Sequence, residues 1–174
     1  MAPSTSRTQI LLDGISYSIL FDSPPPGAPQ KEGEIILLVH ALMSNSHMYG
    51  HTVSTLTRAG YTTIRFDLVG HGETPPPDES GARLHLDDIT HHMHRLVEDV
   101  LGGGRRLKAV IGCSVGGLLA LRYAMLFPEG VEKVVAVTTP GMAAQKAGNE
   151  CGREGSSSSE PMCAMGRRSW RRGR

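Results

Sequence analysis

The sequence predicts an α/β fold with a mostly parallel sheet and helices on both faces, and three observations carry that reading. Short apolar runs such as "IILLVH" have the composition of parallel strands buried on both faces. Amphipathic stretches with apolar residues at 3–4 spacing alternate with those runs. At 174 residues and 39% hydrophobic composition, the chain is long enough for one such core.

Element by element, "TQILLDGISYSILFDS" reads as a hairpin, because apolar runs flank Asp13-Gly14, a strong two-residue turn signal. "PPPGAPQKEGE" is a loop that cannot be central strand. Residues 35–40 are the first buried strand. Residues 46–60 predict a helix with Met48, Val53 and Leu56 on one side and Gly60 as its stop. "YTTIRFDLVGHG" is a second strand running into a Gly-rich turn, and "TPPPDESGA" is an exposed loop. "RLHLDDITHHMHRLVEDVLGGG" predicts an amphipathic helix through Leu86, Ile89, Met93, Leu96, Val97 and Val100, ended by three glycines. "LKAVIG" is the third buried strand, "GGLLALRYAMLF" an apolar helix stopped by Pro128, and "VEKVVAVTTPG" a fourth strand.

Periodicity ends after Met142. The sequence therefore divides into a hairpin and Pro-rich loop at the sheet edge (1–34), a core (35–142) and a basic Ser/Arg-rich tail (143–174), read as disordered for want of apolar surface. The tail holds seven Lys/Arg and three Glu from residue 145 onward, whereas residues 1–144 carry 11 basic and 14 acidic groups. Cationic residues without a structured face, as in "RRSWRRGR", predict neither a nucleic-acid nor a membrane partner. The N-terminus lacks a signal-peptide pattern, and no apolar run approaches the roughly 18 residues needed to span a bilayer. Three cysteines, an odd count without zinc-like pairing, fit free thiols in a reducing compartment, so a cytoplasmic location is expected.

The chemistry concentrates in "IGCSVGG". Gly112-Cys113-Ser114-Val115-Gly116 follows a buried strand and opens a helix. A nucleophile at such a turn adopts strained dihedrals, and glycines on either side let strand and helix approach closely. The turn also sets Ser114 at a helix N-terminus, where the Val115 N–H and the helix dipole can stabilise an oxyanion. Cys113 is read as a small buried packing residue. His85, Asp88, His91, His92 and His94 are read as a solvated polar face, since no HExxH pattern is present; no metal and no cofactor are implied. The glycines at 102–104 precede a strand, so they stop a helix and do not cradle phosphate.

Two further segments accompany the elbow: "LLVHALMSN", with Ala41 after His40, and "FDLVGHGET", with Asp67, Gly70, His71, Gly72 and Thr74. The three segments, spread in order over residues 35–140, resemble the α/β-hydrolase family. Within it the chain looks most like 3-oxoadipate enol-lactonase-type esterases and lactonases, and the "HAL" loop also resembles that of homoserine acyltransferases. The resemblance implies Ser114 as nucleophile, the Leu42 and Val115 N–H groups as oxyanion donors, and loop-shaping roles for His40, Asp67 and His71.

A serine hydroxyl needs a base, and the base needs an orienting carboxylate. The family's order is Ser, then Asp/Glu, then His, yet all eight histidines and every aspartate precede Ser114. By the resemblance the sheet would continue past the fourth strand into a cap and two more strands bearing the acid and the histidine. The triad is thus expected to be incomplete, which removes about 10²–10⁴-fold of rate. The loss of pattern after Met142 suggests a frameshift, retained intron or mis-called exon, hence a truncated α/β-hydrolase lacking the C-terminal strands and cap. Its fourth strand would be an open apolar edge, prone to aggregation and a route to self-association.

The expected function is serine hydrolysis of a small-molecule carboxylic ester or lactone. The alternatives are acyl transfer on the same fold, or a catalytically dead binding module or non-functional truncated product.

Overall fold

The computed structural model describes residues 2–77 and 84–139. The tail expected over 143–174, and residues 78–83 of the loop and helix start, lie outside the described residues.

The predicted α/β class holds: one six-stranded mixed sheet has the order β1-β2-β4-β3-β5-β6. β1 (Ser4–Leu12) and β2 (Ile15–Ser23) are the expected hairpin. Asp13 (φ 49°) and Gly14 (φ 81°) both sit at positive φ, the geometry of a two-residue turn that matches strand twist. β2 joins β4 (Thr62–Phe66) antiparallel, while β3 (Ile35–Val39), β5 (Ala109–Cys113) and β6 (Val134–Val137) run parallel to their neighbours.

All five residues of β3 are buried, as a continuous apolar run requires. Ile35, Leu37 and Val39 face one core, with Met93, Leu96 and Val97 of α2 (Leu86–Leu101) and Leu119, Ala120 and Tyr123 of α3 (Val115–Leu126). Ile36 and Leu38 face a second core with Tyr49 and Val53 of the opposite layer. α2 starts with a reciprocal cap between His85 and Asp88, and ends where Gly102 (φ 78°) and Gly103 donate to the Glu98 carbonyl.

The helix predicted over residues 46–60 is divided. A 3-10 turn, Ser46–Tyr49, precedes α1 (Gly50–Arg58). Asn45 caps the turn through its side chain on the His47 N–H. The tighter turn points Tyr49 inward in place of Met48, which is 43% exposed and not part of the expected apolar face.

The histidines of α2 also correct the expected solvated face. His92 is buried, where the Tyr17 hydroxyl donates to Nδ1 (2.7 Å) and Nε2 meets Asp13 (3.1 Å). His94 stacks on Phe127 at 3.9 Å between centroids, and His91 meets the same ring edge-on. β6 is the outer strand of the sheet among the described residues, and Val135 and Val137 are exposed there.

Candidate active site

The parallel register brings the predicted site residues to one sheet end. Val39 pairs with Phe66 on one side and Gly112 on the other, so His40, Asp67 and Ser114 all follow strands that finish at the same level. Ligand sites of open α/β sheets lie at that edge, outside the strands' carboxyl ends.

Ser114 links β5 to α3 with φ 54° and ψ −117°, in the region that favours glycine. Its backbone is held from both sides: its N–H donates to the Val137 carbonyl (2.9 Å), and its carbonyl accepts from Leu118 (3.1 Å). The elbow glycines are sterically required. A Cβ on Gly112 would overlap the Gly116 carbonyl, and one on Gly116 would overlap the Val39 and His40 carbonyls. Gly117, a requirement not read from the sequence, leaves room for the Thr139 side chain. The same packing sets the first turn of α3 directly against the end of β3. Cys113 is half-buried, more open than a core packing residue.

The loop after β3 is tied down group by group. The Ala41 N–H donates to the Met48 sulfur (3.4 Å), the Met43 N–H to His71 Nε2 (3.2 Å), and the Ser44 N–H to the Ala41 carbonyl (3.2 Å). Among the described residues the Leu42 N–H has no such partner. The Val115 N–H opens α3, where a helix leaves its first donors without intrahelical acceptors. Both expected oxyanion donors are therefore chemically unspent.

Neither nearby histidine can act as a base in this arrangement. His40 Nε2 accepts from the Leu68 N–H (2.8 Å), so Nδ1 carries the proton and donates it to the Ala41 carbonyl (2.7 Å). His71 Nε2 accepts from Met43, and Nδ1 donates to the Val69 carbonyl (3.0 Å). Each ring has spent its lone pair on a backbone N–H. Burial pushes the His40 pKa below its ordinary value, which reinforces the neutral form. Among the described residues no hydrogen bond reaches the Ser114 hydroxyl.

Asp67 also shapes loops. Its carboxylate accepts from the Ser46 N–H (2.7 Å) and the Glu73 N–H (2.9 Å). Burial works to raise its pKa, but the Glu73 and Ser46 donors outweigh it and hold the carboxyl below the usual range. Gly72 (φ 54°) lies against this carboxylate, where a Cβ would collide with it.

Beneath these loops is a polar network that the sequence reading missed. Arg65 pairs with the fully buried Asp22 and donates through Nη1 to the Ser46 carbonyl (3.1 Å). Thr5 and Thr63 hydroxyls donate to the same carboxylate. One signal was available: an arginine between the apolar Ile64 and Phe66 of a predicted strand calls for a buried acid. Tyr49 donates its hydroxyl to the Val39 carbonyl (2.8 Å) at the base of the site, and burial pushes its pKa up to about 12. Among the described residues no group of three or more His, Cys, Asp or Glu side chains is arranged to hold a metal.

The fold has known relatives. The family described as alpha/beta hydrolase fold matches residues 34–150. Homoserine O-succinyltransferase of Laribacter hongkongensis is 29% identical over 158 residues, covering 74% of this chain and 41% of that protein. Epoxide hydrolase B of Mycobacterium tuberculosis is 26% identical over 131 residues, covering 73% and 33%. A crystal structure described as a probable hydrolytic enzyme from Pseudomonas aeruginosa PAO1 superposes with a TM-score of 0.66 at 29% identity, covering 83% of this chain and 44% of that one. The chain thus spans less than half the length of these relatives.

Proposed function

We propose that this chain, which belongs to the α/β-hydrolase fold family, carries the nucleophile and oxyanion half of a serine acyl-transfer site. In this reading the Ser114 hydroxyl attacks the carbonyl carbon of a carboxylic ester or lactone. The carbonyl π pair moves onto oxygen, where the Leu42 and Val115 N–H groups receive the charge. The hydroxyl proton passes to solvent water, and collapse expels the alkoxide, which takes up a proton from water to leave as the alcohol, with an acyl-serine behind it.

The observation that carries the reading is the strained Ser114 between two glycines, beside two uncommitted N–H groups. A proton acceptor for Ser114 is missing from the described residues, because His40 and His71 have spent their lone pairs on backbone. Unaided turnover is therefore expected to fall short of a complete triad by the about 10²–10⁴-fold that a general base supplies.

A second reading, acyl transfer to an alcohol in place of water, draws on the likeness to a homoserine O-succinyltransferase. It uses the same Ser114 acyl intermediate and differs only in the acceptor. The resemblance to enol-lactonase-type enzymes favours a cyclic or activated ester as donor, and the exposed valines of β6 would support association of two copies along that edge.

The test is a fluorophosphonate probe on the full chain, with circular dichroism to establish folding. Labelling at Ser114, abolished in Ser114→Ala, supports the reading. A folded sample that takes no label favours a module used for binding alone. Quenching an acylated sample with homoserine against water then separates transfer from hydrolysis.

A further inference from the structure

Met48 is expected on the apolar face of its helix, yet the core beneath the turn takes Tyr49 in its place. Met48 is 43% exposed, but its sulfur is not idle. The Ala41 N–H donates to it at 3.4 Å, a normal length for an N–H to thioether contact. The Ala41 N–H belongs to the His40–Ala41 peptide, so this bond fixes the plane just before the Ala41–Leu42 peptide that carries the Leu42 N–H. The Met43 N–H, bound to His71, fixes the plane on the other side. The Ser44 N–H turns back onto the Ala41 carbonyl, which also accepts from His40. Three of the four successive N–H groups from Ala41 to Ser44 are thereby held, and the free one is Leu42.

Met43 sits at φ 56°, a conformation that a non-glycine residue keeps only when its surroundings hold it. Ala41 and Met43 are held by side chains from different places: Met48 from the following 3-10 turn, and His71 from the loop after β4. The two anchors differ in kind. The His71 ring is locked by its own bond to Val69, whereas the Met48 thioether is a weak, polarizable acceptor on a flexible stem.

We propose that Met48 is a positioning residue for the oxyanion loop: its thioether holds the Ala41 N–H so that the Leu42 N–H alone remains directed to a developing oxyanion. This rests on the reading of Leu42 as an oxyanion donor. A leucine at position 48 fills similar space but offers no acceptor. A glutamine of similar length restores one.

The experiment uses the full chain and two readouts, amide hydrogen exchange at Ala41 and the rate of Ser114 labelling by a fluorophosphonate. In Met48→Leu, Ala41 exchange rises and labelling slows, each by about fivefold, the worth of one modest hydrogen bond. Met48→Gln recovers most of both. Met125→Leu, an exposed methionine on α3, changes neither. Unchanged Ala41 exchange in Met48→Leu overturns the proposal. So does faster exchange with an unchanged labelling rate. If the wild-type chain takes no label, the acyl-transfer reading fails separately, and Ala41 exchange alone decides whether Met48 holds the loop. If Met48→Leu does not fold, Met48→Gln decides: retained Ala41 protection supports the proposal and lost protection overturns it.

Discussion

Arg65 grips Asp22 with two hydrogen bonds, Nε to Oδ2 at 2.8 Å and Nη2 to Oδ1 at 3.0 Å, where the aspartate is fully buried. The pair joins β2 to β4 and passes through the Ser46 carbonyl to the loop that Asp67 anchors. Removing one partner strands a buried charge. Asp22→Ala is expected to cost about 3–5 kcal/mol. The double variant Asp22→Leu with Arg65→Met is expected to recover most of that loss, because two charges then leave together. Urea unfolding of the three chains checks this; a double variant no more stable than Asp22→Ala would mean the pair contributes more than mutual neutralisation.

The elbow glycines predict a sharp contrast in tolerance. Gly116→Ala puts a methyl into the Val39 and His40 carbonyls, and backbone cannot rotate away as a side chain can. A loss of about 3 kcal/mol or more is expected. Gly50→Ala, in the first turn of α1 with open space around its Cα and φ −51°, is expected to gain about 0.4–1 kcal/mol. Thermal unfolding monitored by circular dichroism distinguishes them, and a tolerated Gly116→Ala would contradict the close approach of α3 to β3.

Ser114 stores strain that glycine would release. Non-glycine residues at such dihedrals carry about 1–3 kcal/mol, and glycine's greater freedom when unfolded returns up to about 1 kcal/mol of that. Ser114→Gly should therefore stabilise the fold by roughly 1 kcal/mol, while Ser114→Ala, which keeps the Cβ, should not. Both should lose fluorophosphonate labelling. Equal stability of the two variants would argue against a strained elbow.

Acid should act in two stages. The folded His40 pKa lies below its ordinary 6.5 because of burial, so the unfolded chain takes up that proton first. Its contribution is complete above pH 6.5 and declines as pH falls below that value. Asp22 and Asp67 also lie below their ordinary 3.8: burial opposes this in both, and it is outweighed by Arg65 and the threonine hydroxyls at Asp22, and by backbone donors at Asp67. Their contributions are present above about pH 4 and lost as pH drops through the folded values. Urea midpoints between pH 7.5 and 3 should show both declines. An NMR titration of His40 with a midpoint at or above 6.5 would exclude the first.

The sequence alone determined the fold class, because its evidence is local. The continuous apolar run of Ile35–Val39 can satisfy only a strand covered on both faces, and Asp13-Gly14 only a tight hairpin. The elbow was legible for the same reason, since Gly112, Ser114 and Gly116 are close in sequence as well as in space. What the tertiary structure decided is where each donor and lone pair is spent. Met48 reads as an apolar helix residue until the 3-10 turn points its sulfur at Ala41. His92 reads as part of a polar face until Tyr17 and Asp13 close around it. His40 and His71 are expected to shape loops, but only the structure shows that Leu68 and Met43 occupy their acceptor nitrogens. Periodicity reports which side of an element is apolar. Hydrogen-bond partners lie 28 residues away for both His71 and His40, and 75 away for His92, and pattern within a short window carries no information over such distances.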